Sequence, residues 1–305
     1  MSLVRRHARV RPDPRRQARW GIAAHYTLLS ALAFVFLFPL VFMVMSSFKP
    51  REQVIDDLRS LRGLLPVGNI SFANYAAVFE ATNFALYFRN SLIIAGVTVL
   101  LGLLFNSLAA YALARLRWRG QKLAVALLVA LIIIPGETIV IPLLLLVSRL
   151  PWLELGPEGV QIVHTWINTL RVQIVPFLAD VGSIFLFYQF FLDLPRELDE
   201  AAVIDGATPF QIYRRIVVPL SGPVFATVAI LRFLGSWNAY VWPTMSVQTE
   251  NARPLMPAIQ VFYGYVNEWG QIMAFATLIT LPVLVLFIVF QRWFVASVAA
   301  SGSKG

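Results

Sequence analysis

The chain has 305 residues, 58% of them hydrophobic and 13% charged, where an average soluble domain is roughly 25% charged. That apolar excess is more than one buried core absorbs, and it marks a membrane protein. There is no cysteine, the three histidines (His7, His25, His164) are far apart, and no lysine follows a glycine; these facts exclude a disulfide framework, a thiolate metal site, a thiol nucleophile, an H-E-x-x-H zinc site and the Gly-Lys of a nucleotide-binding P-loop.

The net charge is +9, a balance that often signals nucleic-acid binding, but 7 of the basic residues are arginines among the first 19 positions. Residues 1–20 therefore read as a basic cytoplasmic arm, and nucleic acid is not expected as a partner. Tyr26–Phe48 is charge-free and long enough to cross a bilayer, which takes about 20 mostly apolar residues. It exceeds the apolar region of a signal peptide, and no A-x-A cleavage site follows, so an uncleaved first span is expected. The loop Lys49–Arg89 carries Asn69, Ser71, Asn74 and Tyr75 among mixed charges. Ser91–Ala114 is the second expected span. The short loop Arg115–Lys122 follows it, with four basic residues (Arg115, Arg117, Arg119, Lys122) and no acid. Leu123–Ser148 is the third span, interrupted by Glu137 and two prolines. Gly159–Leu170 is too short to cross, and reads as an interfacial or re-entrant helix.

Val172–Leu192 is the fourth span, broken only by Asp180, and Ile216–Trp237, carrying Arg232, is the fifth. Trp237–Glu268 is a proline-containing segment rich in aromatics, as interfacial belts are. Trp269–Gln291 is the sixth span, and 297–305 a cytoplasmic tail. With the N-terminus inside, the cytoplasmic segments hold 16 Lys and Arg residues against 8 outside. This asymmetry places both termini and the loop Asp193–Arg215 in the cytoplasm. The expected fold is an all-α polytopic membrane protein of six spans, its permease domain covering residues 21–296.

The segment after the fourth span has its own punctuation. Pro195 suits a first helical turn, and Glu197, Asp199 and Glu200 follow where the helix dipole favours acids. Gly206 is a natural C-terminal stop. Thr208-Pro209-Phe210-Gln211 then reads as an N-cap, a first-position proline and the closing residue of a capping box. A connection between two helices needs only 2–8 residues. This longer, well-capped one reads as an ordered cytoplasmic knob, whose small residues Ala201 and Ala202 would allow a soluble partner to approach.

The same residues carry a resemblance. Glu200-Ala201-Ala202, then Gly206, then Ile216 and Val218-Pro219 are similar to the E-A-A…G…I-x-L-P signature of the membrane subunits of bacterial ABC importers, with valine in place of the leucine. The extended form, Glu200 through Asp205, Gly206 and Ala207, resembles the carbohydrate-uptake branch that includes the six-span maltose-type permeases. Arg89-Asn90-Ser91-Leu92, the stretch Asn106–Arg115, Ile134-Pro135-Gly136, Ser236-Trp237-Asn238 and Gln291–Val295 resemble it too. The tail departs from that branch as Ser301-Gly302-Ser303-Lys304-Gly305.

This resemblance implies a non-catalytic subunit with no cofactor of its own, ATP being bound by partners. Glu200–Gly206 would be a coupling helix seated in a cleft of a P-loop ATPase, present in two copies. Glu200 would make the charged contact, Gly206 the sharp turn, and Asp205 a cap or an arginine pair. A second homologous permease would complete the path in a bacterial or archaeal plasma membrane. An extracytoplasmic solute-binding protein would deliver a carbohydrate.

Charges inside apolar spans cost about 2.5–3.5 kcal/mol even on lenient insertion scales, so they face the bundle interior or an interface. Glu137 and Arg232 are therefore candidates for the solute path, with Asn90, Asn106 and Asn238, for which bonding between helices is the favoured reading, and Trp237, which fits an interfacial belt equally well. Asp180, near the end of its span, is a lesser candidate. The coupling motif reports the motor and not the cargo, so a glycerophospho-compound, a polyol or another organic solute stays open. An ion-coupled carrier or channel is the rival class, and no internal repeat supports it.

Overall fold

The structure, a computed structural model, describes residues 14–156, 159–264 and 267–302. Residues 1–13 of the basic arm and residues 303–305 of the tail lie outside the described residues. The chain divides into two compact units, Met1–Ala76 with Glu268–Thr277, and Ala77–Asn267 with Leu278–Gly305.

In the first unit, α1 (Pro14–Ser46) is a continuous helix through the expected arm boundary at position 20. From His25 to Val41 the helix is exposed within this chain, Phe36 by 74%, and only its last turn packs inward, with Ser46 buried. An apolar helix left uncovered over this length is made for lipid or for a partner's helices. Pro39 interrupts its hydrogen-bond ladder, which membrane helices tolerate.

Around α2 (Arg51–Asp57), the segment that follows α1 folds about a buried cation. Lys49 is fully buried, and its Nζ donates to Asp57 Oδ2 at 2.9 Å and to the Arg62 carbonyl at 2.7 Å. Gln53 ties the same loop to Val67 through its Nε2 at 2.6 Å and accepts from the Asn69 amide at 2.9 Å. Asn74 and Tyr75, at the start of α3 (Ala73–Ala81), hold this loop. Asn74 Nδ2 donates to the carbonyls of Ser47 and Lys49 at 2.9 and 2.8 Å, and the Tyr75 hydroxyl meets Ser47 Oγ at 2.7 Å.

The Lys49 hydrogen bond, supported by Gln53 and Arg62, holds the Asp57 carboxyl below its ordinary value although burial opposes this. A carboxyl whose pKa is depressed by folding adds stability that is complete above its unfolded value, about 3.9, and is lost as pH falls through the lower folded value. Protection of the amides across residues 51–67, referred to the intrinsic exchange rate at each pH, is therefore expected to hold from neutral pH down to about pH 4 and to fall only below it. Protection already lost well above about pH 4 would show that Asp57 is not held this way.

In the second unit, α4 (Phe84–Ala114) is the central helix. It starts seven residues before the expected span, because Phe84-Ala-Leu-Tyr-Phe is already helical after Asn83. After it come α5 (Gln121–Ile132), α6 (Val140–Val147), a hairpin of β1 (Trp152–Gly156) and β2 (Gly159–Val163), and α7 (Leu170–Ile174). Next are α8 (Val181–Asp193), α9 (Glu197–Ile204), α10 (Pro209–Ile212), α11 (Val218–Leu220), α12 (Gly222–Trp237) and α13 (Val241–Ser246). The chain closes with α14 (Trp269–Gly302), which begins in the first unit. Helix α4 packs against α8 and α12, with small residues such as Gly102, Ser107 and Ala110 on its buried side.

The hairpin corrects the expected interfacial helix at Gly159–Leu170. Residues 159–163 pair antiparallel with 152–156, Trp152 opposite Val163 and Gly156 opposite Gly159. Alternation in Trp-Leu-Glu-Leu and Val-Gln-Ile-Val satisfies a two-residue period, and Gly159 takes φ +107° where the chain reverses. Arg171 anchors the hairpin through an ion pair with Glu154 and by lying 5.1 Å above the Trp152 ring. The fold is thus mostly helical with one two-stranded element among the described residues, rather than purely α.

Among the described residues four helical segments are long and apolar enough to cross a membrane, or up to six if each of two bent pairs is one span. The third expected span breaks between α5 and α6 with a bend of 96°, at Pro135-Gly136. The fifth bends by 81° before Gly222, where Ser221 and Pro223 flank the break, and its straight part, α12, has 16 residues.

Candidate functional site

The knob between α8 and α12 is built as its punctuation dictates. Helix α9 carries Glu197, Asp199 and Glu200 in its first turn. It ends in a left-handed glycine: Gly206 has φ +80°, its amide donates to the Val203 carbonyl at 3.0 Å, and the Ala207 amide donates to the Ala202 carbonyl at 2.9 Å. These are the two bonds of a Schellman cap. Asp205 takes the C-cap position just before the turn and, among the described residues, has no ion-pair partner.

Helix α10 opens with the expected capping box, Thr208 accepting from the Gln211 amide at 3.3 Å and Gln211 Oε1 accepting from the Thr208 amide at 2.7 Å. Thr208→Ala is expected to cost about 1 kcal/mol. The loss should appear as faster amide exchange in residues 208–212 at unchanged membrane content; unaltered exchange would mean the cap carries no weight.

Burial divides the two alanines. Ala202 packs inward, in a cluster with Phe187, Phe191, Ile212 and Tyr213, and seats the knob on its own helices. Ala201 is exposed, as are Glu200, Asp205 and Gly206. Beside them stand Val203, Ile204 and Phe210, with Ile204 86% exposed. Apolar side chains clustered on an aqueous surface and rimmed by acids mark an interaction face. Their exposure was not readable from the sequence, because a helix of two turns gives no reliable apolar stripe.

Tyr213–Val217 then forms a π-helical turn, a form common at functional sites, before the chain bends into α12. The knob is also bound to α4. The Tyr111 hydroxyl donates to the Pro209 carbonyl at 3.0 Å, and Ser107 Oγ meets the Tyr213 hydroxyl at 2.7 Å. Arg115, expected only as a charge facing the cytoplasm, donates to the carbonyls of Leu194 and Pro195 and pairs with Asp199.

The candidate solute-path residues are not gathered in one place. Asn90 donates to the carbonyls of Asn251 and Arg253 at 2.9 and 3.0 Å. Asn106 donates to the Leu178 carbonyl at 3.0 Å and accepts from the Asp180 amide at 2.9 Å. Trp237 is buried, donates to the Ile279 carbonyl at 3.2 Å and stacks on Phe233. These three engage backbone and neighbouring helices. Glu137 is exposed in the break between α5 and α6, and Asn238 is exposed at the end of α12.

Arg232 lines a cavity of about 420 Å³ between α4, α8 and α12. Its Nη1 lies 3.7 Å from Asp180 Oδ1, and its Nη2 donates to the Phe177 carbonyl. Asp180 also caps α8, accepting from the Ser183 amide at 2.7 Å and from Ser183 Oγ at 2.5 Å. Ser91, Thr98, Gln173 and Trp242 are among the other polar and aromatic groups of the lining, and the Thr98 hydroxyl and Arg232 Nε are buried without a protein partner. A space of this size, with few polar groups among apolar walls, suits a small polar solute.

The chain is also similar to known proteins over most of its length. A family model described as the binding-protein-dependent transport system inner membrane component matches residues 99–300. The chain is 32% identical over 276 residues to an arabinooligosaccharides transport system permease protein of Halalkalibacterium halodurans, covering 90% of this chain and 93% of that one. It is 32% identical over 293 residues to a melibiose/raffinose/stachyose import permease protein of Bacillus subtilis, covering 95% and 100%. It is 29% identical over 280 residues to a trehalose/maltose transport system permease protein of Thermococcus litoralis, covering 90% and 94%. In fold it is similar to a chain of a bacterial ABC transporter involved in import of the acidic polysaccharide alginate, with a TM-score of 0.75 and 22% identity over 93% of this chain and 100% of that one.

Proposed function

Because the chain belongs to the family of binding-protein-dependent transport system inner membrane components, we propose that it is the permease subunit of an ATP-driven carbohydrate importer. The observation that carries this reading is the ordered knob α9–α10, with Glu200, Val203, Ile204 and Phe210 exposed and its other side packed on the bundle. The sequence lacks a P-loop, so the ATP must be bound elsewhere. The knob is the surface on which a P-loop ATPase subunit seats, one copy here and a second on a partner permease.

Counting each bent pair as one span gives six crossings, and the arginine and lysine asymmetry puts both termini and the knob in the cytoplasm of a bacterial or archaeal plasma membrane. The exposed apolar faces of α1 and α14 meet lipid and the partner permease. A solute-binding protein outside the cell hands its cargo to the outer end of the path. Carbohydrate as the cargo is supported by relatives whose names specify arabinooligosaccharide, raffinose-type and trehalose/maltose transport. Within this chain, the Arg232 cavity is the place where the cargo makes contact, through donors that suit sugar hydroxyls. Glu137 and Asn238 stay candidates for contact at the exposed edges of the path.

Deleting the chain from its source organism and measuring uptake of labelled arabino-oligosaccharide, raffinose, trehalose and maltose tests the cargo. Uptake of at least one should fall to background and return when the chain is restored. Unchanged sugar uptake with loss of a polyol or a glycerophospho-compound would reassign the cargo while leaving the motor in place.

A further inference from the structure

Arg115 occupies the C-cap of α4, where its amide donates to the Tyr111 carbonyl at 2.9 Å. Its side chain is only 2% exposed, close to an aqueous surface where arginine normally spreads into water. The guanidinium reaches three neighbours. Nη1 donates to the Leu194 carbonyl at 3.0 Å and Nη2 to the Pro195 carbonyl at 3.1 Å, while Nε lies 3.1 Å from Asp199 Oδ2. Leu194 is the C-cap of α8, and Asp199 sits in the first turn of α9. One planar fork therefore joins the ends of α4 and α8 to the start of α9. Lysine, a point charge, cannot bridge these positions together.

One turn earlier on α4, Tyr111 holds the Pro209 carbonyl at the start of α10, and Ser107 holds Tyr213 beyond it. At the opposite end of the same helix, Ser91, Ile94 and Thr98 form a wall of the Arg232 cavity. Between the two ends, a Cβ at Gly102 would stand 3.4 Å from Arg232 Nε, so the helix lies against that side chain. Helix α4 has 31 residues, a length of about 46 Å at 1.5 Å per residue.

We propose that Arg115 is the positioning residue that locks the knob to α4, making α4 a rigid lever that carries displacement of α9 to the wall of the solute cavity. The proposal rests on the importer reading for the source of the displacement, an ATPase acting on α9. Its own content is mechanical: α9 and α4 move as one body, and the Arg115 fork makes them one. A push on α9 without the fork would be absorbed at Leu194-Pro195, where the backbone is extended and no helical hydrogen bond resists it.

The test uses the full chain in its native complex, captured from membranes through an affinity tag. Nitroxides are coupled to a keto-bearing non-natural amino acid at positions Glu197 and Leu104, both exposed. Their separation is measured by pulsed electron resonance without nucleotide and after trapping with ATP and vanadate. With Arg115 present, the separation should change by less than about 2 Å between the two states, the range of rigid-body behaviour. In Arg115→Ala the distribution should widen at least about twofold or shift beyond that range, while the ATPase is captured in equal amount and still hydrolyses ATP. Arg115→Lys should behave like the alanine variant.

Should Arg115→Ala fail to accumulate, Asp199→Asn removes only the ionic strut and should give a smaller widening. A wild-type separation that changes by more than about 2 Å on trapping overturns the lever. So do distributions in the variants that match wild type. Capture of no ATPase by the wild-type chain would remove the importer reading itself, a different result from capture with unchanged distances.

Discussion

Gly206→Asp should abolish most uptake while leaving the chain in the membrane. Gly206 ends α9 at φ +80°, and both Schellman bonds depend on that conformation. A Cβ built on it meets nothing within 4 Å in this chain. Steric conflict within the subunit is therefore absent, and what remains is backbone strain and whatever a partner presents. Left-handed backbone costs ordinary residues roughly 1–2 kcal/mol, and asparagine and aspartate less than others because their side chains bond locally. Three substitutions separate the causes. Gly206→Asn keeps the turn and adds no charge, so its uptake should stay within about threefold of wild type. Gly206→Asp adds a second acid beside Asp205 on the docking face and should lower uptake at least tenfold, equivalent to about 1.4 kcal/mol of docking energy. Gly206→Val strains the turn and should lower both uptake and folded yield. Normal uptake in the aspartate variant would count directly against an ATPase seated on this face.

The second large effect is expected at Arg232. Its side chain is 12% exposed, pairs with Asp180 and donates to the Phe177 carbonyl. Arg232→Met leaves that carbonyl without its donor and strands the carboxylate. Breaking a fully buried pair costs about 3–5 kcal/mol, but Asp180 is 39% exposed and solvent screens part of its charge, so roughly 2 kcal/mol is expected here. Asp180→Asn with Arg232→Met should recover about half of this, because an asparagine oxygen can still accept from the Ser183 amide while the stranded charge is gone. Thermal denaturation of the purified chain in detergent reads both. The same pair bears on transport: if Arg232 touches the cargo, the double variant regains stability but keeps a raised KM for uptake. Recovery of both would make Arg232 purely a strut between α12 and the start of α8.

The α9–α10 knob was the most legible part of the sequence, because its signals are local. Glycine in a left-handed turn, acids in a first turn and a threonine three residues before a glutamine all act within one helical turn. The apolar spans were legible for a similar reason, since length and lack of charge suffice. The broken geometry was less so. The bends before Val140 and Gly222 follow prolines and small residues that mark a break without giving its angle. The hairpin 152–163 was missed because five alternating residues in an apolar stretch also suit a short helix.

The contacts of Arg115 and Arg232 were not legible at all. Arg115 and Leu194 are 79 residues apart and Arg232 and Phe177 are 55 apart, and neither pairing leaves a trace in local spacing. For Asn90 and Asn106 side-chain chemistry left solute contact open beside the favoured reading, a bond between helices. Their partners proved to be backbone carbonyls and an amide, which only the packing of α4 reveals.

The central claim is that α9 seats a separate ATPase. Its most direct test is capture of the tagged full chain in mild detergent from its own membranes, with a photo-activated crosslinker at Glu200, and identification of the joined chains by mass spectrometry. A P-loop ATPase crosslinked at that position, recovered with a second permease, is the predicted result. A lone oligomer of this chain, with no ATPase joined at Glu200, would contradict the coupling role and return the carrier or channel to consideration.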